Sequence, residues 1–342
     1  MGKNIRYFFH CYNDYVFDYG KRMCELTDLA HRYETVYIEL APDGGNINEI
    51  PYKGTKVIKI LEDLCQRNNW PKTKFIIEHM NPLQKESTWP ALIYRDGMPW
   101  FETLMSNNFK SEKSIQYHFG SYVVNSSWPR LWLSSYLYCN HKNITDQTFV
   151  RSLNNPAHAV SLDLDNMLFN FSSSGEINDI NLQQVSKFLD ALPIVKNSDY
   201  HLLDTTNGAK FSFNNEILSW YDKNFIDIVY ETFYSGETFW LTEKTARPLF
   251  TKTPFIVFGP ANFLKNLRKL GFKTFNKFWS EEYDDFSGVR RVLAIKKLIN
   301  NLSKLTLNQL NELYNSMTDI LENNHRVYKE LQSNSIIELL KK

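Results

Sequence analysis

The chain has 342 residues, 43% hydrophobic and 23% charged, with a formal net charge of +1. That length suits two domains of ordinary size, and that balance excludes a disordered chain. The near-zero charge excludes a global field that would drive binding to nucleic acid.

Residues 4–9 (NIRYFF) predict a first strand. Residues 19–33 have helical spacing through Met23, Leu26, Leu29 and Ala30. The β-branched and aromatic run 35–40 (TVYIEL) predicts a buried second strand, closed by a Pro-Asp-Gly-Gly turn. A helix over 57–65 and a strand over 74–77 (KFII) follow, the latter leading to Glu78-His79. Strands alternating with helices point to a parallel α/β sheet, whose carboxyl edge is where ligands bind.

A new strand is expected at 121–125 (SYVVN), then an aromatic-rich helix over 131–138 entered through Pro129-Arg130. Trp128, Trp132, Tyr136 and Tyr138 read as core rather than as a stacking platform. Residues 140–220 are the least legible, with one helical piece at 182–192. A strand over 225–231 (FIDIVYE), a helix opening at Thr242-Glu243-Lys244, an apolar strand over 254–258 ending in Gly259-Pro260, and a helix over 261–270 come next. A short strand is expected at 272–275. Helices are expected over 289–302, 305–321 and 325–340.

Four cysteines, Cys11, Cys24, Cys65 and Cys139, lack metal-ligand spacing and read as reduced, structural thiols. No run is long and apolar enough to cross a bilayer, and no signal-peptide core follows Met1. The expectation is a soluble, cytoplasmic protein with no membrane partner. There is no GxxxxGK[ST] loop, no GxGxxG after a strand and no HExxH. Asp163-Leu164-Asp165 has the spacing of a metal-binding DxD, but no metal site is assigned.

The stretch 231–285 is the most informative. Thr242-Glu243-Lys244, with Arg247 one turn later, places an acid and two cations at the start of a helix. A carboxylate there can accept hydrogen bonds from ribose hydroxyls, and cations beside a helix N-terminus can hold phosphates. The same residues also suit a capped, solvated helix start. From residue 244 to 297 roughly a dozen Lys and Arg stand against about four acids, a local excess that suits an anionic ligand.

TEK, RPL, PFIVFGP and GFKTF in this order resemble the C-terminal domain of nucleotide-sugar glycosyltransferases of the GT-B architecture. The likeness is to the α-1,3-fucosyltransferase family, and with the downstream E-x-Y-D to phage-encoded glycosyltransferase-like proteins. It covers residues 225–295. It implies an α/β fold of two Rossmann-like domains facing a cleft: an acceptor domain over 1–115, a nucleotide-sugar-binding domain over 116–302, and C-terminal helices over 303–342. It implies an inverting, metal-independent transfer from a nucleotide-diphosphate sugar, a co-substrate rather than a cofactor, to a hydroxyl acceptor. A glycan and a hydroxymethylated base in phage DNA are both open as acceptor. Abundant Asn, Lys, Tyr and Phe hint at an AT-rich, viral genome, which would place the protein in the host cytoplasm.

The resemblance assigns Thr242, Glu243, Lys244, Arg247 and Arg130 to the donor, with Asn125, Ser126 and Glu231 at neighbouring strand ends. The catalytic base is expected at the edge of the N-terminal sheet: Glu78 first, then Asp14 and His10, with Asp18 also placed there. FIIEHMNP is similar to a fucosyltransferase strand ending in Glu-Ser-Pro, but His-Met-Asn stands here where Ser-Pro would follow. Two other classes fit the same pattern. One is a non-catalytic sugar-nucleotide or glycan-binding module; the other is a nucleic-acid-binding protein with a degenerate transferase fold.

Overall fold

Two parallel sheets organise the chain, each built by strand–helix alternation. The computed structural model describes residues 4–9, 19–40, 51–52, 55–79, 89–90, 92–94, 109–123, 128–149, 182–196, 215–231 and 239–331. They fall into two compact units. The first is drawn from Met1–Gly97, with Gly236–Trp240 and Ser335–Lys341; the second comprises Met98–Ser235 and Leu241–Asn334.

In the first unit, strands β1 (Asn4–Phe9), β2 (Thr35–Leu40), β5 (Phe75–His79) and β6 (Leu92–Tyr94) pair in that spatial order, all parallel. Helix α1 (Tyr19–Arg32) links β1 to β2. Helix α2 (Val57–Asn68) follows a two-stranded ribbon, β3 (Pro51–Tyr52) with β4 (Thr55–Lys56). Leu26 and Ala30 of α1, Ile60 and Leu61 of α2, and Val36, Ile38, Phe75 and Ile77 of the sheet form one buried cluster with Trp89. Each large apolar side chain removed from water there stabilises by about 1.5–3 kcal/mol. The Trp89 indole N–H donates to Phe75 O at 3.0 Å, so its polar atom is satisfied in the core.

In the second unit the order is β10 (Phe255–Phe258), β9 (Asn224–Tyr230), β7 (Tyr117–Val123), β8 (Thr145–Phe149), again all parallel. All seven residues of β9 are buried, which is why FIDIVY reads as a near-continuous apolar run. Helix α3 (Trp128–His141) joins β7 to β8, and its Trp132 and Tyr136 are core, as the sequence implies. Helices α4 (Leu182–Asp190) and α5 (Asn215–Lys223) precede β9; Trp220 and Tyr221 of α5 pack on Tyr122. Helix α6 (Glu243–Phe250) joins β9 to β10. Gly120 is required in β7: a Cβ there would lie 2.5 Å from Asn224 Nδ2.

After β10 come α7 (Phe263–Lys269), α8 (Gly288–Leu302), α9 (Leu307–Ser316) and α10 (Thr318–Glu330). The strand expected at 272–275 does not form. Its polar groups go elsewhere: Lys273 is held through both main-chain atoms by Asn324, and Phe275 N–H donates to Glu281 at 2.6 Å. The helix break expected after residue 321 falls at Met317 instead, since apolar periodicity runs on through α10. Strands β6 and β8 and helix α5 were not anticipated; TDQTF of β8 is too polar to read as a buried strand. Among the described residues no helix is long and apolar enough to cross a membrane.

Candidate functional site

The strand order of the second sheet locates the site before any side chain is considered. The path from β7 through α3 to β8 runs one way across the sheet, and the path from β9 through α6 to β10 runs the other. The connections leaving β7 and β9 therefore diverge, and open α/β sheets bind ligands beyond the carboxyl ends of such a pair. Asn125 and Ser126, in the connection after β7, lie outside the described residues.

Arg130 sits in the first turn of α3 and is 8% exposed. Its guanidinium donates to the main-chain oxygens of Glu231 at 2.9 Å and Tyr230 at 3.4 Å, tying α3 to the end of β9. Glu231 continues the ladder by one residue, its N–H donating to Phe258 O at 3.0 Å. A Cβ at residue 259 would stand 3.2 Å from Glu231 Cβ, so Gly259 lets this side chain fold inward. The Glu231 carboxyl accepts the Thr245 hydroxyl. Burial pushes its pKa up, while Lys244 and the hydroxyls of Thr245 and Thr242 pull it back.

Thr242 caps α6: its backbone is extended and its hydroxyl accepts from Lys244 N–H at 3.1 Å. The Glu243 side chain, 18% exposed, meets Lys244 Nζ at 2.8 Å. Burial alone would raise the Glu243 pKa, but Lys244 and Arg247 outweigh it and hold the carboxyl at about 2. Glu243 is thus an ionised carboxylate throughout the physiological range. Lys244 is engaged with Glu243 rather than open, so a ligand phosphate would take it by exchange.

Arg247 acts on a second carboxyl that the sequence did not single out. Asp227, midway along β9, is 3% exposed, and its Oδ1 accepts no hydrogen bond. Burial pushes its pKa up to about 8 against the pull of Arg247 and Lys113. The one available signal was an acid inside the otherwise apolar run FIDIVY. Lys113 is itself pushed down to about 7 by burial, opposed by Asp222 and Asp227. Its ammonium donates to Tyr221 O at 2.8 Å and Thr253 Oγ1 at 3.1 Å.

In the first unit Glu78 lies in the last turn of sheet pairing, as expected, but is 3% exposed rather than open. Its register partner on β2 is Glu39. Glu39 went unnoticed because it sits in an apolar run (TVYIEL). His10, Asp14 and Asp18 lie outside the described residues, as do Asp163 and Asp165. Among the described residues no group of three or more His, Cys, Asp or Glu is placed to hold a metal ion. Cys24 is exposed, Cys65 buried and Cys139 half-buried, all as free thiols, and Cys11 is outside the described residues.

No protein-family model, curated protein or solved structure matches this chain.

Proposed function

We propose that the chain is a glycosyltransferase of the GT-B kind, moving a sugar from a nucleotide-diphosphate donor to a hydroxyl acceptor. The observation that carries this reading is the meeting, where the strand order reverses, of one ionised carboxylate with two cations at the start of α6, with a third cation held by main-chain oxygens at the end of β9. Glu243, Lys244 and Arg247 lie on α6, and Arg130 is bonded to the end of β9. Glu243 suits vicinal hydroxyls of a ribose, because an ionised carboxylate accepts two charge-assisted hydrogen bonds. Lys244 and Arg247 suit the diphosphate, and would stabilise the negative charge that grows on it as the glycosidic bond breaks. That electrostatic role can stand in for a metal ion, and the transfer is read as metal-independent and inverting.

Glu78 is the base assigned to the acceptor hydroxyl. Glu78→Gln keeps the shape and removes the basicity. The variant should bind donor nucleotide with near-native affinity and lose about 10²–10⁴-fold in transfer rate. Near-normal turnover would move the assignment to Asp14, His10 or Asp18.

The deciding experiment is a thermal-shift screen against GDP-, UDP-, CMP- and dTDP-sugars. A donor that binds only the native state raises the melting temperature, by about 2.7 kcal/mol of stabilisation at 100 times Kd. A shift with one nucleotide class, followed by sugar transfer to a hydroxylated acceptor, supports the reading. Donor binding with no transfer and no hydrolysis makes the protein a sugar-nucleotide-binding module. No shift with any donor removes the reading.

A further inference from the structure

A second concentration of charge follows β10, separate in sequence from the α6 cluster. Lys265 and Lys269 lie four residues apart on α7, and Lys273 and Lys277 continue the interval through the next loop. All four are exposed. On α7 that interval is about 6 Å of rise and puts Lys265 and Lys269 on one face, while Lys273 and Lys277 stand in the loop that follows.

Among the described residues none of these four ammonium groups has a carboxylate within ion-pair distance. The neighbouring acids are spent elsewhere. Glu281 takes Arg268 at 3.0 Å and the Thr274 hydroxyl at 2.8 Å. Asp284 caps α7 through Leu264 N and Lys265 N, each at 3.0 Å. Glu322 holds Lys252 at 2.6 Å and Glu330 holds Arg326 at 2.7 Å. The exposed acids Glu282 and Asp285 flank Asp284, at the N-terminal end of α7, whereas Lys273 and Lys277 follow its C-terminal end.

The backbone beneath the cations is pinned. Asn324, 2% exposed, accepts from Lys273 N–H at 2.7 Å and donates to Lys273 O at 2.9 Å. Phe272, Phe275 and Trp279 are buried and Phe278 is half-buried, so no fully exposed apolar side chain stands among the four cations to anchor a bilayer. Four unpaired cations on a braced segment outnumber what one diphosphate engages. They suit a continuous array of negative charge, and a nucleic-acid duplex presents one charge per about 1.7 Å of axis.

We propose that Lys265, Lys269, Lys273 and Lys277 form a docking surface for the phosphate backbone of a nucleic-acid duplex. The surface is independent of the donor site, so it stands or falls apart from the transferase reading.

The test is fluorescence anisotropy of a short labelled DNA duplex with the full chain, titrated with salt and with no donor present. Four phosphate contacts give a slope of log K against log salt near −3.6, roughly a 100-fold loss of affinity between about 50 and 200 mM. The variant K265Q/K269Q/K273Q/K277Q should lose this binding, and K110Q/K297Q/K304Q/K329Q, equal in charge change, should keep it. If the first variant melts early, each single substitution should still lower the slope by about 0.9. No binding by the native chain at low salt overturns the proposal, as does equal loss in both variants. Equally tight binding to anionic vesicles or to a sulfated glycan overturns it too.

Discussion

Two motifs within one stretch of sequence, TEK-x-x-RPL and GFKTF…EEYDD, behave differently once folded. At the first, charges gather where the strand order reverses, and the side chains of Glu243 and Lys244 keep 18% and 22% of their surface open. At the second, the acids serve the chain itself. Glu281 bonds Thr274, Phe275 N–H and Arg268, and Asp284 bonds the first turn of α7 and the buried Arg291. One is a candidate site and the other a brace, although both are rich in the same residue types. Ionisable residues near a motif are therefore evidence of a site only when their hydrogen-bonding capacity is not already consumed by the backbone.

The largest expected effect lies in the brace. Arg291 is 0% exposed and donates to Val257 O at 3.1 Å, Tyr283 O at 2.9 Å and Asp284 O at 3.2 Å. It also donates to Phe286 O at 3.4 Å, so Arg291→Ala leaves the buried Asp284 carboxylate and four carbonyls without this partner. Removing one member of a buried ion pair costs about 3–5 kcal/mol. The urea midpoint should fall accordingly, and the residual folded fraction should bind donor normally. A variant that unfolds like the parent yet fails to bind donor would make the second motif part of the site and erase the contrast.

A smaller effect is expected at the first motif, in binding rather than in folding. Lys244→Ala or Arg247→Ala should each weaken nucleotide binding by about 1–3 kcal/mol, the range for charge-assisted hydrogen bonds. Each variant should also lose some stability, since Lys244 and Arg247 offset the burial of the Glu243 carboxylate, so affinity is compared below the melting transition. Calorimetry showing native affinity in both variants would reduce TEK to a helix cap.

The elements of both sheets were legible where apolar runs are short and uniform. TVYIEL, FIDIVY and FIVF form β2, β9 and β10 almost to the residue. GFKTF misled because alternation of Phe with Lys and Thr has a strand's period, while its hydrogen bonds go to Glu281 and Asn324. The helix start at Thr242 follows from local spacing and was legible, whereas the pairing of Glu243 with Lys244 was not expected. Asp227 and Glu39 were not, since each sits inside an apolar run and acquires its neighbours only through strand pairing. The bond from Arg130 to the end of β9 spans a hundred residues, a distance over which local patterns carry no information.

Acid should separate the two motifs, with the smallest energy and the clearest sign. The Glu243 pKa is depressed from 4.5 to about 2 by Lys244 and Arg247 against the opposing effect of burial. A depressed carboxyl stabilises the fold above its unfolded pKa, and that stabilisation drains away as pH falls from about 4.5 through about 2. Taken alone the displacement is worth at most ~3 kcal/mol. Glu231 beside it is displaced upward by burial and contributes with the opposite sign, at pH values above that window rather than within it. At the brace, burial raises the Glu281 pKa, so its protonation comes at higher pH than that of Glu243, favours the folded form, and leaves the brace with no such loss as pH falls from about 4.5 to about 2. Hydrogen exchange between pH 5 and pH 2, corrected for intrinsic rates, should therefore show Ala246 N–H, which bonds Thr242 O at 3.0 Å, losing protection before Phe275 N–H. Glu243→Gln should abolish the pH dependence at Ala246 and leave Phe275 unchanged. Protection lost in the reverse order would mean that Glu281, not Glu243, carries the charge the fold depends on.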